Sequence, residues 1–69
     1  MDVFDLNVHE FIELHNLLKV TGLCPSGGMA KNLISEGRVK VDGEVELRRR
    51  CKIRRGQTVE FEGHEIVVE

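Results

Sequence analysis

The side chains with the most evident chemistry in this chain lie between Arg38 and Arg55. Eight basic residues stand there, Arg38, Lys40, Arg48, Arg49, Arg50, Lys52, Arg54 and Arg55, against Asp42, Glu44 and Glu46, a local balance of +5. A guanidinium is planar, donates paired hydrogen bonds to phosphate oxygens and stacks on an unpaired base, whereas the lysine ammonium acts as a point charge. The run LRRRCKIRR, with five arginines to one lysine, is therefore suited to a phosphate polyanion. The formal net charge is -2, because residues 1–18 and 56–69 each carry -4 and residues 19–37 only +1. That acidity does not oppose polyanion binding, which depends on how many phosphates a local patch neutralises. Arginines so closely spaced repel one another in the free protein, and a bound anion relieves the repulsion. The competing reading is a charged face kept only for solubility.

No other group of residues carries a comparable signal. Cys24 and Cys51 are too few for a disulfide framework and lack the CxxC spacing of a structural zinc site, so both read as reduced thiols. His9 and His15 are six residues apart and fall on different faces of a helix, so no metal is expected, and no small-molecule cofactor either. His15 reads as a residue of the polar side of the first helix, and His64 as a residue of the last hairpin. No local signature pairs a cysteine nucleophile with a histidine base, and a chain this small encloses little pocket volume, so a non-catalytic role is expected. The GxxxxGK[ST] spacing of a nucleotide-binding loop is absent. Two readings stay open for Gly27 and Gly28: close approach of a phosphate to the start of a helix, or a flexible loop.

The size and composition narrow the architecture. Sixty-nine residues make one domain, 1–69, and such a domain buries only about 60% of the surface its unfolded chain exposes. With 41% hydrophobic and 32% charged residues, three Phe, no Trp or Tyr and one Pro, the composition is globular. No window approaches the length of a membrane span, and the start, MDVFDLNVHE, is acidic where a secretory signal is basic. The expectation is a cytoplasmic protein with no membrane partner.

The elements that must position the cations follow from periodicity. Asn7 followed by Glu10 predicts a capping box, and Phe11, Leu14, Leu17 and Leu18 form one stripe of a helix over about 8–20. Pro25 and Ser26 predict a second start, with Ser26 as N-cap, an apolar face of Met29, Ala30, Leu33 and Ile34, and Gly37 as the stop, a helix over about 27–36. The period then changes from 3.6 to 2. Val39 and Val41 alternate with Arg38, Lys40 and Asp42, and Asp42-Gly43 is a two-residue hairpin turn into Glu44-Val45-Glu46 that sends Arg38 and Lys40 outward together. Cys51 and Ile53 are the next apolar alternates, Arg55-Gly56 is a turn, and residues 58–61 pair with 64–68 across Glu62-Gly63. The expected fold is α+β: two N-terminal helices packed on a small, mostly antiparallel sheet.

From Ile12 to Phe61 this order of elements resembles the S-four-like RNA-binding domain, or αL motif. The stretches that carry the resemblance are LHNLLKVTGLCPS, MAKNLISEGRVKVDGEV and IRRGQTVEF, about three quarters of the chain. The most specific is LISEGRVKVDGEV, in which a helix stop, a basic strand and an Asp-Gly turn follow in fixed order. Short standalone bacterial members are the most similar in length. The family includes a small-subunit ribosomal protein, pseudouridine synthases, bacterial tyrosyl-tRNA synthetases and a ribosome-associated heat-shock protein.

The resemblance implies RNA as the partner, with ribosomal RNA, transfer RNA or the ribosome itself as candidates. It assigns Lys31, Arg38 and Lys40 to basic positions of the family. The sequence departs from the family pattern at PSGGMAKN, which offers only Lys31, and at the first helix, where Glu10 and Glu13 replace a basic start. The run Arg48, Arg49, Arg50, Lys52, Arg54 and Arg55 supplies a cationic surface which the common pattern does not require. Because Phe11 and Phe61 sit in apolar patterns, no aromatic platform for successive bases is expected, and structured RNA read by phosphate and shape is the better fit. The alternative is a protein-interaction module, docking an acidic partner or associating head to tail through its segregated charges.

Overall fold

The structure is a computed structural model that describes residues 2–69. In chain order its elements are β1 (Asp2–Phe4), β2 (Ile12–Glu13), α1 (Leu14–Val20), α2 (Gly27–Ser35), β3 (Val39–Val41), β4 (Glu44–Val45), β5 (Lys52–Ile53), β6 (Thr58–Phe61) and β7 (His64–Val68). A five-stranded sheet runs in the order β1-β7-β6-β3-β4, and β2 with β5 forms a separate two-stranded ribbon. Every pairing is antiparallel except β1 with β7. The α+β expectation holds, with an additional strand at the start whose parallel pairing makes the sheet mixed.

The second half forms as its turns dictate. Asp42 and Gly43 adopt φ 51° and 85°, and Glu62 and Gly63 adopt 48° and 82°. Positive φ at both central residues gives a turn whose twist matches that of the flanking strands. Asp42 does more than turn the chain: its Oδ1 accepts from the Thr58 N–H at 2.9 Å and its Oδ2 from Gln57 Nε2 at 3.2 Å. The β3–β4 hairpin is thereby tied to the start of β6. Alternation along β6 buries Val59 and Phe61, which join Val39, Ile66 and Val68 on one face of the sheet.

The helices close over that face. In α2, Ser26 Oγ accepts from the Met29 N–H at 3.2 Å, the cap expected from the sequence. At the other end, Gly37 at φ 78° lets its own N–H reach the Ile34 carbonyl and the Arg38 N–H reach the Leu33 carbonyl, so the last carbonyls are satisfied. Leu14, Leu17, Leu18, Ala30 and Ile34 are fully buried together with the sheet residues and Leu6. Met29, read as part of the inward face, is 49% exposed. The buried side of α2 is the narrower Ala30–Ile34 ridge, with Leu33 half-buried at its flank.

The first helix is shorter than expected. Its N-cap is Glu13, with no side-chain cap, and Asn7 sits at φ 56° with its N–H donated to Asp5 Oδ1 at 2.7 Å, so the capping box does not form. The physical reason is a competing set of bonds. Ile12 pairs with Ile53 and Glu13 with Lys52, while the Leu14 and His15 N–H groups donate to the carbonyls of Cys51 (2.9 Å) and Arg49 (3.1 Å). Those donors, orphaned at any helix start, are satisfied by tertiary partners instead of a cap.

Burial separates the two methionine and leucine readings experimentally. Leu17→Ala is expected to lower the unfolding free energy by about 2–5 kcal/mol, since it leaves a cavity in a closed core, and Met29→Ala to change it by less than about 0.5 kcal/mol. Urea unfolding followed by circular dichroism measures both.

Candidate nucleic-acid interface

The cationic run is held as a turn against the start of α1. The Arg49 carbonyl accepts from the His15 N–H and also lies 2.9 Å from His15 Nδ1, while the Cys51 N–H closes back on the Arg48 carbonyl at 3.2 Å. Because the partner of Nδ1 is a carbonyl, that nitrogen carries the proton. His15 is only 9% exposed, so its expected place on the polar side is corrected: its ring is wedged between helix and turn, with Glu13 Oε1 3.8 Å from Nε2. A helical period that begins at Leu14 instead of Asn7 accounts for the change.

The basic side chains sort into committed and free. Arg48 grips Glu46 with Nε to Oε2 at 3.0 Å and Nη2 to Oε1 at 3.1 Å, and its backbone N–H donates to Oε2 at 3.0 Å. These bonds hold the Glu46 carboxyl at about 2, well below its ordinary 4.5, the Arg48 guanidinium being the largest cause and the Arg48 backbone N–H the next. Arg38 pairs with Glu62 and lies 3.8 Å from Glu36. Lys40 is exposed on β3 opposite Glu60 in the register with β6. The Arg55 guanidinium donates to the Asn7 carbonyl. Among the described residues, Arg49, Arg50, Lys52, Arg54 and Arg55 have no carboxylate at ion-pair distance, nor does Lys31, half-buried on α2.

Two surfaces result. Arg48, Arg50, Cys51 and Lys52 line one shallow groove. Arg38 and Lys40 line another, which they share with Glu60 and Glu62 and which is consequently close to neutral. Gly27 and Gly28 form the first turn of α2, so the flexible-loop reading does not hold.

The placement expected for Phe11 also differs from the structure. Phe11 is not part of the helical stripe; it precedes β2, is 36% exposed, and has Lys52 Nζ 5.0 Å and Arg54 Cζ 5.7 Å from its ring centroid. The sequence carried no local signal for this, since Phe11 and Ile12 are adjacent apolar residues between Glu10 and Glu13 and show no strand alternation. Burial pushes the thiols of Cys24 and Cys51 up, which makes both poorer nucleophiles. No helix among the described residues is long and apolar enough to cross a membrane.

A paired helix unit on a five-stranded sheet with an Asp-Gly hairpin, and a cationic turn bonded to the start of the first helix, define an α+β protein of the αL kind. A family model described as the S4 domain matches residues 4–69, and the chain belongs to that family. It is 54% identical over 68 residues to YbcJ of Escherichia coli strain K12, provisionally named an RNA-binding protein, covering 99% of this chain and 97% of the relative. RlbA of Bacillus subtilis strain 168, provisionally named a ribosome maturation protein, is 44% identical over 54 residues, 78% of this chain and 76% of its own. The solution structure of E. coli YbcJ, described as revealing an αL motif involved in RNA-binding, superposes with a TM-score of 0.76 over 99% of this chain and 86% of that one.

The Glu46–Arg48 contact has a pH signature. A carboxylate whose folded pKa lies below its unfolded value adds stability that is present above the unfolded value and lost as pH falls through the folded one. The difference in unfolding free energy between the wild type and Glu46→Gln is therefore expected to be constant above 4.5 and to fade between 4.5 and about 2. Urea titrations at stepped pH measure it, and its amplitude should be modest because the Arg48 side chain is 77% exposed and screened by water.

Proposed function

We propose that this protein is a non-catalytic RNA-binding module, a single domain that recognises structured RNA by phosphate and shape contacts. The observation that carries the reading is the set of unpaired cations Arg49, Arg50, Lys52 and Arg54 on one anchored segment, in a chain of the S4 domain family. The RNA-binding names of its relatives support the same partner. Arg49 and Arg50 form the centre of the contact, with Lys52, Arg54 and Arg55 beside them. Lys31, Arg38, Lys40 and Arg48 are flanking contacts, the last two arginines exchanging a carboxylate for a phosphate at some cost. The ribosome, or a ribosomal or transfer RNA, is the natural source of such a ligand for a cytoplasmic protein with this fold.

Fluorescence anisotropy with an RNA hairpin and a DNA duplex of matched length, across a salt series, tests the proposal. Preference for RNA with a log-log salt slope of about -3 to -5 is expected, as a handful of neutralised phosphates requires. No binding even at low salt would overturn it and turn attention to a protein partner. Arg49→Ala and Arg50→Ala should each weaken binding several-fold and flatten the slope by about 1. Arg48→Ala should have a smaller effect, since that guanidinium already has its counterion.

A further inference from the structure

The outer face of the β2–β5 ribbon, which carries Lys52 and Arg54, borders an open groove to which the phosphate reading assigns no role. Pairing of Ile12 with Ile53 and of Glu13 with Lys52 puts the two isoleucines on the core side. Strand alternation then sends Phe11, Glu13, Lys52 and Arg54 to the other face. The groove runs from Phe11 past Ile12 to Phe4 and Leu6, with Asn7, Asn16 and Glu13 among its polar residues.

We propose that this groove receives one unpaired nucleobase of the bound RNA, which stacks on Phe11. The inference rests on the RNA-binding reading above and adds the class of nucleotide engaged. The argument is one of complementarity. The ring of Phe11 is partly exposed, and the cations of Lys52 and Arg54 that stand over it within 6 Å can yield the ring face to a base and turn to the phosphates flanking that base. The polar groups that line the rest of the groove are the Asp5 and Glu13 carboxylates, which accept hydrogen bonds, and His9 and the Asn7 and Asn16 amides, which both donate and accept. A ligand that is anionic at one end and carries N–H donors on a flat apolar body meets both halves, and a nucleotide has that chemistry. An acidic peptide would meet Asp5 and Glu13 in the groove, and a purely apolar segment has no use for Lys52 and Arg54. A base already paired in a helix offers neither a free face nor a free edge, so the nucleotide must be a bulged or loop residue.

The test uses the whole chain and two RNA hairpins with the same number of phosphates, one fully paired in its stem and one with a single unpaired purine there. The wild type is expected to bind the second about tenfold more tightly, the weight of one stacked base. Phe11→Leu should abolish that preference while leaving affinity for the paired hairpin and its salt slope unchanged. Phe11→Trp should keep the preference, and because the chain has no Trp of its own, its fluorescence should be quenched by the bulged hairpin alone. Equal affinity of the wild type for the two hairpins, or a preference that survives Phe11→Leu, would overturn the groove assignment and leave the RNA-binding reading standing. Failure to bind either hairpin would overturn both.

Discussion

Two backbone carbonyls, those of Arg49 and Cys51, are the acceptors on which the rest of the arrangement depends. They take the first N–H groups of α1, a helix of seven residues that is far too short to persist alone. Once they are engaged, the helix start is fixed at Glu13, and Leu14, Leu17 and Leu18 are phased toward the core. The same bonds fix the other partner. A segment with three consecutive arginines has no apolar reason to adopt one shape, yet it is bonded through its main chain to a buried histidine and to the helix. The Arg49 carbonyl can serve both His15 donors because it has two lone pairs. Register in the β2–β5 ribbon then follows, and with it the outward direction of Phe11, Lys52 and Arg54.

Residues of one type consequently differ in what they are free to do. Arg38 and Arg48 are bound to carboxylates on exposed surface, contacts that contribute little stability but set the direction of each guanidinium. Among the described residues Arg49 and Arg50 have no such partner, so their charge is available to an incoming anion. Count alone could not make that distinction. Eight cations against three acids is a property of residues 38–55 as a string, whereas the surface offers one neutralised groove on β3 and one cationic turn.

Features set by neighbours in sequence were legible. Ser26 caps α2, Gly37 stops it, and Asp42-Gly43 and Glu62-Gly63 turn the two hairpins, because each acts within three or four residues. The errors fall where a distant segment decides. Asn7 and Glu10 have the spacing of a capping box, but the N–H groups at the start of α1 found carbonyls more than thirty residues away. That single displacement moved His15 from the polar side to the interior and Phe11 from the core to the surface. Parallel pairing of Asp2–Phe4 with β7 was invisible for a similar reason: three residues carry too short a pattern, and their partners lie at the opposite end of the chain. At the site, the cationic segment was legible from composition, while its division into paired and unpaired guanidiniums was not. Glu46 and Arg48 are two apart on an extended stretch and so share a side, a relation that alternation does offer in hindsight.

Anchoring through main-chain atoms also resolves a conflict that a cationic surface poses for a small protein. A domain of this size has a thin margin of stability, and a cluster of like charges erodes it further. If the arginine side chains themselves held the turn in place, a ligand that captured them would loosen the fold it relies on. Here the bonds to α1 are made by the Arg49 and Cys51 carbonyls, which as acceptors have no affinity for a phosphate, and the core is closed by the buried Ile53 and Leu14. The guanidiniums of Arg49 and Arg50 are therefore free to take a partner without changing the backbone beneath them. The main-chain bonds that hold the turn and the side-chain charges it displays reside on different atoms of the same residues, so a chain with net charge -2 can hold a strongly basic turn in one shape.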